Sequence, residues 1–227
     1  RQAWYDQIES WKQRRVEDQW PDDYLNPTQV VERIYALMPE NGIVTTEVGQ
    51  HQMWAAQSFN LKHPRSFITS GGLGTMGFGF PAAIGVQAAY PDRCVIDIAG
   101  DGSFQMVLQE LATAKDYGLG VKVMILNNSY LGMVRQWQRG IFRHEESHSR
   151  MTSPDYVKLA EAFGGMGFVV EHPSQVDETI QKALAITDRP VVVDFRVHER
   201  ADVYPWVPAG GANEEMLTQS KNKGVVG

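Results

Sequence analysis

The sequence predicts an α/β fold: a doubly wound, mainly parallel sheet of about six strands with helices on both faces. Three observations predict it. Short runs rich in β-branched and apolar residues recur along the chain, among them Cys94–Ile98, Val121–Leu126 and Pro190–Arg196. Stretches with helical patterning separate them. The runs are near-continuously apolar rather than alternating, as strands buried on both faces of a parallel sheet must be.

The elements follow in order. In residues 1–26, Trp4, Ile8 and Trp11 recur at helical spacing and Arg14, Arg15, Glu17 and Asp18 follow. This reads as an amphipathic helix, either a connector from a preceding domain or a helix packed on the chain's own core. Asn26-Pro27 caps a helix over Thr28–Met38. Gly42–Glu47 and Ser66–Thr69 read as strands, and Phe80–Tyr90 as a small-residue helix. Strand Cys94–Ile98, helix Gln105–Tyr117 and strand Val121–Leu126 come next. Helix Pro154–Phe163, strand Phe168–Val170, helix Ser174–Thr187 and strand Pro190–Arg196 complete the pattern, with Ser174 and Asp177 at capping-box-like spacing. The expected division is a connector over 1–26, a ligand-binding α/β domain over 27–197, and a tail or lid over 198–227. Pro205, Pro208 and Gly210-Gly211 make that tail irregular.

Composition narrows the function. The 227 residues carry a net charge of −6, which speaks against a partner with a phosphate backbone, so no nucleic acid is expected. No apolar run approaches the roughly 20 residues a membrane helix needs. The single cysteine, Cys94, excludes an internal disulfide framework and fits a reducing compartment. The polar start without Met reads as a processed chain or a fragment.

Three motifs compete for the chemistry. Gly72-Leu-Gly74-Thr-Met-Gly77 matches G-x-G-x-x-G, with Asp97 twenty residues further on. It reads as a dinucleotide fingerprint or as a loop where backbone passes close to a neighbour or ligand. Asp97 lies inside its strand, not at the end where a ribose-binding acid belongs. His144-Glu-Glu-Ser-His148 is a literal H-E-x-x-H, readable as a zinc helix or, with its polar flanks, as a solvated loop. The third is Gly100-Asp101-Gly102-Ser103 followed by Asn127-Asn128. Asp101 ends one predicted strand, a helix crosses over, and Asn128 ends the next parallel strand. Two oxygen ligands thus emerge at the same carboxyl edge, where open α/β sheets bind ligands. A carboxylate and an amide oxygen suit Mg²⁺, while the glycines and a helix start near Ser103 favour a phosphate.

That third motif resembles the thiamine diphosphate and metal motif of thiamine-dependent enzymes. Val48-Gly49-Gln50-His51-Gln-Met-Trp-Ala-Ala-Gln57, Gly72-Leu-Gly74-Thr-Met76-Gly-Phe-Gly79 and Leu131-Gly132-Met133-Val134-Arg-Gln-Trp137 closely resemble acetohydroxyacid synthase (acetolactate synthase) catalytic subunits. The resemblance covers nearly the whole chain and implies the thiamine-diphosphate-binding fold. It implies that Asp101 and Asn128 ligate Mg²⁺ by side chain and Tyr130 by its backbone carbonyl. It implies that Gln50, His51, Gly102 and Ser103 contact the diphosphate, with Val48, Gly49 and Gly100 beside them. It implies that Met76 presses on the cofactor ring, that Gly74, Leu131, Gly132, Met133 and Val134 line the same pocket, and that Trp137 stands at the substrate channel.

The implied reaction decarboxylates pyruvate and joins the two-carbon unit to pyruvate or 2-ketobutyrate, the first common step of branched-chain amino-acid biosynthesis. Family members are two to three times longer. Their activating glutamate lies in an N-terminal domain and their FAD is held largely by a middle domain. No catalytic residue is therefore expected here; Glu47 reads as a strand-end residue, and the chain alone is expected to be inactive. The resemblance further implies a homodimer or homotetramer of full-length subunits and a small regulatory subunit. It implies a cytoplasmic location in a bacterium, and a plastid or mitochondrion in a eukaryote. A pyruvate oxidase, a decarboxylase, a sulfoacetaldehyde acetyltransferase or a non-catalytic binding domain remain alternatives.

Overall fold

The runs expected as strands pair into one six-stranded sheet in which every neighbouring pair is parallel. This is a computed structural model, and it describes residues 1–12, 23–60, 62–142, 145–208 and 210–218. The chain divides into two compact units, one of Asp22–Asp202 and one of Arg1–Pro21 with Val203–Gly227.

In the smaller unit, α1 (Gln2–Lys12) holds Trp4 and Trp11 on one side, their rings edge-on at 5.6 Å. The i, i+7 spacing places both on one face, two turns apart. Beyond Val203, Trp206 and Leu217 exchange backbone hydrogen bonds around a short 3₁₀ turn at Asn213–Glu215.

The larger unit carries the sheet. It runs α2 (Pro27–Leu37), β1 (Ile43–Thr46), α3 (Gln50–Ser58), β2 (Phe67–Thr69), α4 (Gly79–Ala89), β3 (Val95–Gly100), α5 (Asp101–Phe104), α6 (Leu111–Asp116), β4 (Lys122–Asn127), α7 (Gly132–Gly140), α8 (Tyr156–Ala162), β5 (Met166–Val170), α9 (Val176–Ala185) and β6 (Val191–Arg196). Strand order is β2-β1-β3-β4-β6-β5. The chain steps outward from β1 to β2, then returns to place β3 on β1's other side. That reversal opens a crevice at the carboxyl ends of β1 and β3.

Side chains alternate along each strand, so each face has its own core. Val95 and Ala99 of β3, Val123 and Ile125 of β4 and Val192 of β6 pack with Phe80, Ala83, Leu111, Ala114 and Ala160 from α4, α6 and α8. Phe104 sits at its centre, its ring 5.5 Å from Phe80 and 5.9 Å from Tyr156. Full burial of one such ring stabilises by roughly 1.5–3 kcal/mol. Helices α2, α3 and α9 cover the other face.

Several expectations need correction. The helix expected over Gln105–Tyr117 is shorter: a 3₁₀ turn at Leu108–Glu110 leads into α6, and the separate short helix α5 precedes it. Strand β3 runs on to Gly100, so Asp101 opens α5 rather than ending a strand at Ile98. Helices α3 and α7 were not expected at all. Asn26 caps α2 as expected, accepting from the Thr28 and Gln29 N–H groups. The Ser174–Asp177 cap does not form. Gln175 instead accepts from the backbone of Glu171 and His172, while Asp177 pairs with Arg33 at 2.7 Å.

Candidate functional site

Three strand ends build one cavity at the carboxyl edge. After β1 the chain turns through Val48 and Gly49 into α3. Gly49 has φ +151°, a conformation that side chains resist, and a Cβ there would stand 2.9 Å from the His51 ring. After β3 come Asp101, Gly102 and Ser103. After β4 come Asn128, Ser129 and Tyr130. Gly100 pairs in register with Leu126, so Asp101 and Asn128 leave adjacent strands together.

The turn after β4 is locked by side chains. Asn127 accepts from the Ser129 N–H and Asn128 from the Tyr130 N–H, two successive Asx turns. Ser129 is held at φ +58° between them. Non-glycine residues reach that region only at a cost of about 1–2 kcal/mol, the kind of strain that collects at functional sites. The Asn128 side-chain nitrogen donates to Gln50 Oε1 at 3.0 Å. Its oxygen is the atom left with a lone pair.

Burial sets the electrostatics. It raises the Asp101 carboxyl to about 6, opposed by a hydrogen bond from the Ser153 hydroxyl at 3.2 Å. It pushes the His51 imidazole down to about 3, against a smaller upward pull from a hydrogen bond with the Glu47 backbone. His51 Nε2 is buried and has no hydrogen-bond partner.

The cavity lining contains Val48, Gly49, Gln50, His51, Met76, Gly100, Asp101, Gly102, Ser103, Asn128, Tyr130, Leu131, Gly132, Met133 and Val134. Two expected residues stand outside it. Gly74 sits in the preceding turn at φ +65°, its N–H bonded to the Ser70 carbonyl. Trp137 lies on α7 and is 37% exposed. Trp54 and Leu126 line the cavity and were missed. Trp54 follows Gln50 by one helical turn, a spacing visible only once α3 is known. The side-chain nitrogen of Gln50 is committed to Gln136, Ala201 and Asp202, so it has no donor left for a diphosphate. Ser103 gives its hydroxyl proton to Glu47.

The competing motifs resolve physically. Glu47 accepts from the N–H groups of Gly77 and Phe80, the donors a pyrophosphate would use at the start of α4. Asp97 is buried inside β3 and takes a hydrogen bond from Thr45. A dinucleotide therefore finds neither of its anchors. His144 lies outside the described residues, and the described part of that motif, residues 145–148, is irregular rather than helical.

Among the described residues no group of three or more His, Cys, Asp or Glu side chains could hold a metal. The oxygens of Asp101, Asn128 and the Tyr130 backbone form a different donor set, hard and low in charge, of the sort Mg²⁺ accepts while keeping water and phosphate ligands. The orphaned His51 nitrogen and the buried Asp101 carboxyl are polar groups that a diphosphate and a divalent cation fit. No helix among the described residues is long and apolar enough to cross a membrane.

Comparison with known proteins agrees with this geometry. Residues 47–195 match the family described as thiamine pyrophosphate enzyme, C-terminal TPP binding domain. The acetolactate synthase large subunit of Haemophilus influenzae is 44% identical over 95% of this chain and 38% of its own length. The acetolactate synthase isozyme 3 large subunit of Escherichia coli is 45% identical over 94% of this chain and 38% of its own. The mitochondrial acetolactate synthase catalytic subunit of Saccharomyces cerevisiae is 42% identical over 96% of this chain and 32% of its own. The chain thus spans about a third of the length of these relatives. The matched segment begins at Glu47, the first residue after β1, and ends in β6, enclosing the whole cavity. The chain belongs to the thiamine pyrophosphate enzyme family and carries its C-terminal TPP-binding domain.

Proposed function

We propose that this chain is the cofactor-binding part of an acetolactate synthase catalytic subunit. The intact enzyme would take pyruvate, release carbon dioxide, and join the remaining two carbons to pyruvate or 2-ketobutyrate. The observation that carries the reading is the convergence of Asp101, Asn128 and the Val48–His51 turn on one cavity at the sheet's switch point. The names of the relatives support the choice of carboligase.

Bound thiamine diphosphate supplies an electron sink for decarboxylation and carbon–carbon bond formation. The chain's own residues hold it. Asp101, Asn128 and the Tyr130 carbonyl would bind Mg²⁺, and backbone around Gly102 with the His51 imidazole would meet the diphosphate. Met76, Leu131 and Met133 line the cavity and would be apolar walls that keep water from the reacting centre. Trp137, outside the cavity, would favour the larger second keto acid, where one methylene is worth about 1–3 kcal/mol. The activating glutamate and most FAD contacts would come from parts of the relatives that this chain does not span. Homodimers or homotetramers with a small regulatory subunit would follow, in the cytoplasm of a bacterium or an organelle of a eukaryote.

The test is acetolactate production by the intact protein given pyruvate, thiamine diphosphate and Mg²⁺, with Asp101→Asn alongside. Acetolactate formed by the wild type and lost in the variant supports both activity and metal role. Pyruvate consumed without acetolactate overturns the carboligase in favour of a decarboxylase or oxidase.

A further inference from the structure

A side-chain amide can present either an oxygen or a nitrogen to a cation, and only the oxygen binds it. Asn128 has to be held the right way round. Its oxygen accepts from the Tyr130 N–H, and the chain of contacts behind its nitrogen holds it that way. Gln50 Nε2 lies 3.1 Å from the Ala201 carbonyl and 3.5 Å from the Asp202 carboxylate, two groups that can only accept. The nitrogen of Gln50 must therefore face them, and its oxygen faces Asn128. Asn128 must then turn its nitrogen to Gln50 and its oxygen away. Arg135 fixes the two acceptors. It is 1% exposed, donates to the Ala201 carbonyl and the Asp202 carboxylate at 2.8 Å each, and stacks 5.0 Å from the Tyr130 ring. Gly132 clears the meeting place: a Cβ there would overlap Gln50 Oε1 and come within 2.8 Å of the Asn128 nitrogen.

We propose that Arg135 is a positioning residue that, through Ala201, Asp202 and Gln50, fixes the amide of Asn128 so that its oxygen faces the divalent cation. Arg135 does not line the cavity. The inference rests on the proposed Asp101–Asn128–Tyr130 metal site and adds a constraint that no sequence motif states.

The experiment reads Mn²⁺ affinity of the intact protein at saturating thiamine diphosphate, from the free-ion electron paramagnetic resonance signal. Arg135→Met is expected to weaken Mn²⁺ binding about tenfold, the low end of losses from outer-shell changes. Asn128→Asp is the decisive background. A carboxylate offers oxygen at both ends and needs no orientation, so Arg135→Met there should change affinity by less than about twofold. Equal loss in both backgrounds means Arg135 is merely structural and overturns the proposal, as does no loss beside Asn128. Should Arg135→Met fail to fold, Arg135→Lys, which loses the two-pronged contact to Ala201 and Asp202, takes its place in the same cycle. Loss beside Asn128 that vanishes in the Asn128→Asp background then supports the proposal, and equal loss in both, or none beside Asn128, overturns it. Wild-type protein that binds Mn²⁺ no better than Asp101→Ala overturns the metal site itself, and the inference with it.

Discussion

Ser103 donates its hydroxyl proton to the Glu47 carboxylate across 2.6 Å, tying the end of β1 to the first turn after β3. The same carboxylate accepts from the Gly77 N–H at 2.7 Å and the Phe80 N–H at 2.9 Å. One buried side chain thus joins three segments of the carboxyl edge. The Ser103 oxygen closes the knot by accepting from the Gly77 N–H at 3.2 Å.

Glu47→Ala takes the acceptor from two buried donors, the Phe80 N–H and the Ser103 hydroxyl, and leaves the Gly77 N–H only the Ser103 oxygen. Each unsatisfied group costs about 1–3 kcal/mol, less where it relaxes toward water. The expected loss is about 3 kcal/mol, read as a lower urea midpoint at unchanged slope. Glu47→Gln keeps one oxygen acceptor and should lose about half as much. A variant within about 0.5 kcal/mol of wild type, the range of ordinary surface changes, would mean the knot adds nothing.

Asp97 shares that interior. It is fully buried, takes one hydrogen bond from Thr45 at 2.9 Å, and leaves its second oxygen unpartnered. Burial, and then the negative charge of Glu47, lift its pKa well above the ordinary carboxylate value. A raised folded pKa means the unfolded chain gives up its proton first as pH rises. Stability from this group is complete below about pH 4 and drains away as pH climbs toward the folded value. Asp97→Asn removes the titration while keeping the shape and the acceptor for Thr45. Urea midpoints between about pH 5 and pH 8 should show the variant gaining on wild type as pH rises, and parallel curves would refute it.

Sheet and carboxyl edge were legible in the sequence because the strands obey the simplest rule, apolar residues buried on both faces. Helices α3 and α7 were not, and the reason lies in what they bury. In α3 the buried positions include Gln50 and His51; in α7 they are Arg135 and Gln136, while Val134 and Trp137 stay exposed. Polar faces turn inward here because the interior they meet is the cavity and its hydrogen-bond network. Periodicity reading assumes the opposite sign, so it fails at the helices that build the site. Glu47 was legible as a strand end but not as the group that caps α4, since its partners lie 30, 33 and 56 residues away.

His51 gives the last prediction its pH window. Burial holds the folded imidazole neutral down to about 3, while an unfolded histidine takes a proton near 6.5. Below about pH 6.5 the unfolded chain binds a proton that the folded chain refuses, so stability falls as pH falls, and continues to fall toward about pH 3. The slope is roughly 1.4 kcal/mol per pH unit once the unfolded histidine is mostly charged, or about 2 kcal/mol between pH 6.5 and pH 5. His51→Asn keeps a neutral polar side chain and removes the titration. The variant should lose less stability than wild type over that interval, measured as the difference in urea unfolding free energy without ligand. The two proteins should converge in slope above about pH 7, where neither state binds the extra proton. Equal losses below about pH 6.5 would show that the imidazole is charged in the folded protein.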